Sequence, residues 1–339
     1  MRIPSSIAHP VEAVLQRGGH LLHAVLPTPS DTGMDPDCAR ICAAGALPLD
    51  RLHPRVMRVA AHVQAHVWNR PREQAVSVSD ERVGRHVTVR TYVPHVESGG
   101  GLVYLHGGGG VIGDLDTHDR FARWIAVRSG MVVHAVDYRL APEHPPPAAV
   151  LDVIAAWNHV HAGWVAQGRR PSELGVGGDS AGAMFSAVLA NESVQSTLGV
   201  PVAGRPGFLV LLYPGLDTNH PDRGGHPDGV LLTDGVVDFF TAHYVGDLDP
   251  TSTTISPGLV GDEVLEQWPP TIHATVGFDP LLPENETFRA RLVAAGVDLT
   301  VLHEPTLPHD FIQMTGVSQA AEDFAARLID TAGEVARRP

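Results

Sequence analysis

The sequence contains no lysine: all 24 basic residues are arginine, against 38 acidic residues, for a formal net charge of −14. With no basic cluster anywhere, a nucleic-acid surface is excluded, because phosphate binding needs grouped Arg or Lys. Long apolar runs are also missing. The longest, Phe208 to Leu212, falls far short of the roughly 18 residues a membrane span needs. A secretory leader is lacking too, since Pro4, His9, Pro10 and Glu12 stand where a signal peptide requires an unbroken apolar core. Cysteine occurs only at Cys38 and Cys42, too few for a disulfide framework; four apart in a helical-looking segment, they read as two half-buried small residues. Glycine and proline together reach about 19%, below the roughly 25–30% of low-complexity chains. These absences describe a soluble, cytoplasmic protein, and 43% hydrophobic residues provide it with a large core.

At 339 residues the chain could hold two domains or one large α/β unit. Residues 1–70 read as helical, broken by Pro27, Pro29, Pro36, Pro48 and Pro54. Leu52 to Trp68 places Val56, Val59, Ala60, Val63 and Val67 on one face at helical spacing. From Ala75, and again from His86, apolar and polar residues alternate, the mark of antiparallel strands with one wet face. Short apolar strands then begin at Leu102, Met131, Leu174, Phe208, Thr271 and Leu299, with helices expected near 117–129, 147–166, 181–196, 284–295 and 317–336. That alternation predicts a mostly parallel central sheet with helices on both faces. Residues 214–257, rich in Pro, Gly and Asp around a helical patch from Val236 to Tyr244, read as an insertion.

The chemistry concentrates at strand ends. Gly178-Asp179-Ser180-Ala181-Gly182 follows one strand and opens an apolar helix, as a nucleophile elbow must. A serine on so sharp a turn has close neighbours on both sides, so the positions two before and two after must be small. The helix behind it directs its N-terminal N–H groups at developing negative charge. His106-Gly107-Gly108-Gly109 follows an earlier strand, where bare backbone can approach a ligand and donate N–H groups to an oxyanion. A serine hydroxyl needs a base, and the base an orienting carboxylate. Asp279 and His309 each follow a later strand, in the order Ser, Asp, His.

His106-Gly-Gly-Gly, Asp137-Tyr-Arg-Leu-Ala-Pro-Glu-His-Pro, Gly178-Asp-Ser-Ala-Gly, Asp279-Pro-Leu and His309-x-Phe together resemble the bacterial hormone-sensitive-lipase-like esterases over about residues 75–335. The resemblance implies an α/β-hydrolase core of residues 71–213 and 258–339. A helical cap is implied over it, from the N-terminal segment 1–70 and the insertion 214–257. It implies Ser180 as nucleophile, His309 as general base and acid, Asp279 as orienting acid, and Gly108, Gly109 and Ala181 as oxyanion donors. The substrates implied are short-chain carboxylic esters, with no cofactor and no metal. A homodimer paired through the sheet's edge is compatible with the pattern.

Two departures from the family pattern bear on specificity. Gly110 stands where an aromatic residue is common, and its lack of a side chain should open space beside the oxyanion hole for tertiary alcohols. Asp310 stands where glycine is common, and its charge should favour the His309 imidazolium, unless the carboxylate points away. His106 and Asp179 read as structural groups near the site, and Asp137, Arg139 and Glu143 as one polar cluster holding the Pro-rich turn. Two rivals stand beside the hydrolase. Gly108-x-Gly110-x-x-Gly113 with Asp137 downstream is a literal dinucleotide fingerprint, pointing to an NAD-dependent oxidoreductase. A non-catalytic binding module on the same scaffold is the other. His62 and His66 have zinc-pair spacing without the glutamate a zinc protease motif places between them. The 20 histidines otherwise read as compositional bias, with solubility expected to be weakest near the sequence pI of 5.7.

Overall fold

The eight strands follow the apolar segments of the sequence closely. The protein is seen in a computed structural model that describes residues 33–44, 52–191, 197–223 and 231–338. Among these, β1 (Val76–Val83), β2 (Val87–Pro94), β3 (Gly101–Leu105), β4 (Val132–Asp137), β5 (Leu174–Asp179), β6 (Leu209–Leu212), β7 (Thr271–Phe278) and β8 (Leu299–Pro308) form one sheet in the order β1-β2-β4-β3-β5-β6-β7-β8. Only β2 runs against the rest, pairing antiparallel with both β1 and β4. The central strands β3, β5 and β6 are buried along their whole length, as helices on both faces require. β1, at the edge of the sheet, is exposed from Ser77 to Arg82; Asp80, Glu81 and Arg82 guard it against pairing with another chain.

Nine helices accompany the sheet among the described residues: α1 (Pro36–Ala44), α2 (Pro54–Val67), α3 (Asp119–Ser129), α4 (Ala148–Ala166), α5 (Ala181–Ala190), α6 (Asp234–Tyr244), α7 (Asp262–Leu265), α8 (Leu282–Ala294) and α9 (Gln319–Ala336). Phe121 and Trp124 of α3, Phe324 and Leu328 of α9, and the cysteines of α1 build the core on one face. Trp157 of α4, Phe185 of α5 and Phe288 of α8 build it on the other. The helix expected over 181–196 ends at Ala190, and residues 192–196 lie outside the described residues. So do 1–32, with Pro27 and Pro29, together with 45–51, with Pro48, and 224–230 of the insertion. None of the described helices is long and apolar enough to cross a membrane.

The sheet order reverses after β4, so β3 lies between β4 and β5 and their carboxyl ends adjoin at a topological switch point. Three expectations change. The valine stripe of α2 faces solvent, with Val56, Val59 and Val63 at 51%, 64% and 51% exposure. The helix instead buries Pro54, Met57 and Ala65, and Arg58 donates to the carbonyls of Val111 and Ala141 and pairs with Glu143 at 2.7 Å. The single Asp137–Arg139–Glu143 cluster is therefore divided. Glu143 serves Arg58, while Arg139 forks onto Asp152 of α4 at 2.7 and 2.8 Å. Cys38 and Cys42 are fully rather than half buried, and burial pushes both thiols up.

Candidate active site

Ser180 directly follows β5, with φ +52° and ψ −119°, a strained backbone for a residue with a side chain. A Cβ at Gly178 or Gly182 would strike the Leu105 carbonyl oxygen, which explains the small residues on both sides. His309 follows β8, and its N–H donates to the Phe278 carbonyl at 3.1 Å. That placement puts His309 Nε2 2.9 Å from Ser180 Oγ and Nδ1 2.8 Å from Asp279 Oδ2. A carboxylate only accepts, so Nδ1 carries the proton and Nε2 is left to accept from the serine hydroxyl. Asp279 is 1% exposed, and its other oxygen accepts the Leu281 N–H at 2.8 Å. Burial alone would lower the His309 pKa, but the charge and hydrogen bond of Asp279, with Asp310 and Asp179 behind it, outweigh burial and raise it.

The glycine loop after β3 turns through φ +112° at Gly108, +61° at Gly109 and +69° at Gly110. No described residue accepts a hydrogen bond from the N–H of Gly108, Gly109 or Ala181. Asp179 ties this loop to the elbow, accepting from Tyr104 Oη at 2.5 Å and from the Gly107 N–H at 3.1 Å. His106 stacks on Tyr138 at 4.2 Å, and its carbonyl accepts the Tyr138 hydroxyl at 2.6 Å. Burial, assisted by His118, holds His106 down at about 4, so it stays neutral.

Two cavities of about 90 and 110 Å³ meet at Ser180. The first lies between α6 and α8 and is lined by Ala181, Met184, Leu216, Tyr244 and Leu281. The second lies under α2 and is lined by Gln64, Gly108, His118, His309 and Asp310. Gly109 and Phe240 border both. Gly110 lines neither. A Cβ there would fall 2.6 Å from the Tyr244 ring, so the space expected beside Gly110 is already filled by that ring from the insertion. Asp310 is half-buried, in the left-handed region at φ +67°, and its Oδ2 accepts from Gln64 Nε2 at 3.1 Å. It therefore faces the site, where burial and the charge of Asp179 push it up to about 6.

Several site residues carried no sequence signal. His118 approaches Asp179 at 3.5 Å and lies 5.4 Å from the His106 ring. Glu284 accepts the Leu216 N–H at 2.7 Å, and burial raises it well above the carboxylate range. The dinucleotide reading fails on geometry: α3 begins only at Asp119, and a Cβ at Gly113 would fall 2.6 Å from His106, so no helix opens at those glycines to receive a pyrophosphate. His62 is engaged with Asp114 at 2.8 Å.

A family model described as alpha/beta hydrolase fold matches residues 102–313. The chain belongs to the α/β hydrolases, in their hormone-sensitive-lipase-like branch. This hydrolase is 40% identical over 241 residues to carboxylic ester hydrolase LipN of Mycobacterium tuberculosis, a match covering 67% of this chain and 61% of LipN. It is 38% identical over 247 residues to carboxylesterase NlhH of the same organism, covering 71% of this chain and 76% of NlhH. Its fold is similar to an α/β hydrolase enzyme from the metagenome of Lake Arreo, Spain, with a TM-score of 0.77 at 31% identity over 88% of this chain and 95% of that one.

Proposed function

We propose that this carboxylic ester hydrolase cleaves short-chain esters through Ser180, with His309 as base and acid, Asp279 as its orienting acid, and Gly108, Gly109 and Ala181 as oxyanion donors. The observation that carries the reading is the continuous chain Ser180 Oγ–His309 Nε2 at 2.9 Å and His309 Nδ1–Asp279 Oδ2 at 2.8 Å, beside three N–H groups without an acceptor among the described residues. His309 takes the proton as Ser180 attacks the ester carbonyl, and the N–H groups hold the oxyanion. The alcohol leaves with the proton from His309, and water repeats the cycle on the acyl-enzyme. In this reading residues 1–70 and 214–257 act as cap over the core of 71–213 and 258–339. Tolerance of tertiary alcohols rests on the bare backbone of Gly108 and Gly109 at the cavities, with Gly110 lying under Tyr244; measurable hydrolysis of tert-butyl acetate relative to ethyl acetate tests it. The decisive experiment is p-nitrophenyl acetate turnover by the native chain and by Ser180→Ala. Activity should vanish in the variant. Turnover that survives intact would overturn the assignment, and an inactive native chain would revive the binding-module reading.

A further inference from the structure

The two cavities beside Ser180 differ in charge. Among the described residues, the one under α2 is lined by Asp310 and Asp179 with no arginine, while the one between α6 and α8 is lined by Arg223 together with Asp217 and Glu284. Asp179 is spent on Tyr104 and the oxyanion loop. Asp310 is not: Gln64 occupies Oδ2, and Oδ1 has no hydrogen-bond partner among the described residues and is not sealed from solvent. Phe240 of α6 lines the same space. His309 borders this cavity and not the other. The group that protonates the departing alcohol must reach its oxygen, and an alcohol part seated in the α2 cavity has its oxygen beside that base.

Resting on the ester-hydrolase reading above, we infer that Asp310 selects esters whose alcohol part carries a cationic ammonium group, held between the Asp310 carboxylate and the Phe240 ring. A carboxylate with one free oxygen attracts a cation more strongly in a half-buried cavity than in water. An aromatic face adds to the attraction for a quaternary ammonium in particular. At pH 8 Asp310 is ionised, its upward shift reaching only about 6.

The test compares two acetates of matched shape, 2-(trimethylammonio)ethyl acetate and its neutral isostere 3,3-dimethylbutyl acetate, at pH 8. The native chain should favour the cationic ester in kcat/KM by about tenfold or more, the combined size of a modest ion pair and a cation–π contact. Asp310→Asn should bring the ratio close to one, and Asp310→Glu should keep it. Reading the ratio cancels any effect of position 310 on His309, because both esters share that base. A native ratio below two, or one unchanged in Asp310→Asn, overturns the inference while leaving ester hydrolysis intact. Hydrolysis of neither ester nor of p-nitrophenyl acetate overturns the reading beneath it instead. If Asp310→Asn does not fold, inhibition of the native chain by choline against 3,3-dimethylbutan-1-ol decides: choline should inhibit at about tenfold lower concentration, and equal inhibition refutes the selection.

Discussion

Gly182→Ala adds a single methyl group to the second residue of α5, two residues past Ser180, and should cost both stability and rate. The new Cβ would stand 2.7 Å from the His106 carbonyl oxygen and strike that of Leu105, where ordinary contact begins at 3.4 Å. Both obstacles are backbone at the end of β3, so no side chain can swing aside. The strand end must retreat by about 0.7 Å or more, and it leads directly into Gly107–Gly109. Displacing catalytic groups by about 1 Å costs on the order of 100-fold in rate, and losing one oxyanion donor costs about 100- to 1,000-fold. We expect kcat/KM for p-nitrophenyl acetate to fall about 100-fold, equivalent to about 2.7 kcal/mol, with overpacking costing roughly 1–3 kcal/mol of stability. Gly163→Ala is the matched control. Gly163 lies within α4 with nothing within 4 Å of its Cβ position, so alanine there should stabilise by about 0.5–1 kcal/mol without touching the rate. Thermal unfolding and steady-state kinetics on both variants suffice. If Gly182→Ala kept its activity within about threefold and its Tm unchanged, the steric account of the elbow would be wrong.

Further perturbations follow from the same geometry. Asp279→Asn should lower kcat by about 10⁴ while the fold survives, because the amide no longer holds the proton on Nδ1; a loss under tenfold would remove Asp279 from the mechanism. Asp310→Asn should move the acid limb of kcat/KM to lower pH. His309 works as base only when neutral, and Asp310 is one of the carboxylates raising its pKa, so the amide lets it stay neutral further into acid. An unmoved limb would show that Asp310 does not act on His309. Tyr244→Ala should open the space beside Gly110 and raise the tert-butyl to ethyl acetate rate ratio, and an unchanged ratio would place tertiary-alcohol selection elsewhere.

The sequence alone was enough to locate all eight strands, the elbow at Ser180, the glycine loop, and the Asp279 and His309 positions. It was enough because a serine on a strand–helix turn imposes glycines on its immediate neighbours, and because strand ends are marked by adjacent proline and glycine. What it could not decide depends on residues far apart in the chain. The spacing along α2 revealed a valine stripe but not that the helix would bury Pro54, Met57 and Ala65 instead, with Arg58 engaging Val111, Ala141 and Glu143, and leave that stripe to solvent. The identity of residue 110 suggested open space, yet Tyr244, more than a hundred residues later, fills it. The lysine-free, histidine-rich composition said nothing of which imidazoles lie inside. Only the tertiary structure buries His106, His118, His273 and His309, with burial holding His106 and His273 at about 4 while carboxylates raise His118 and His309. Composition therefore sets how many histidines the chain has, and burial together with nearby charge sets which of them gain a proton as the pH falls.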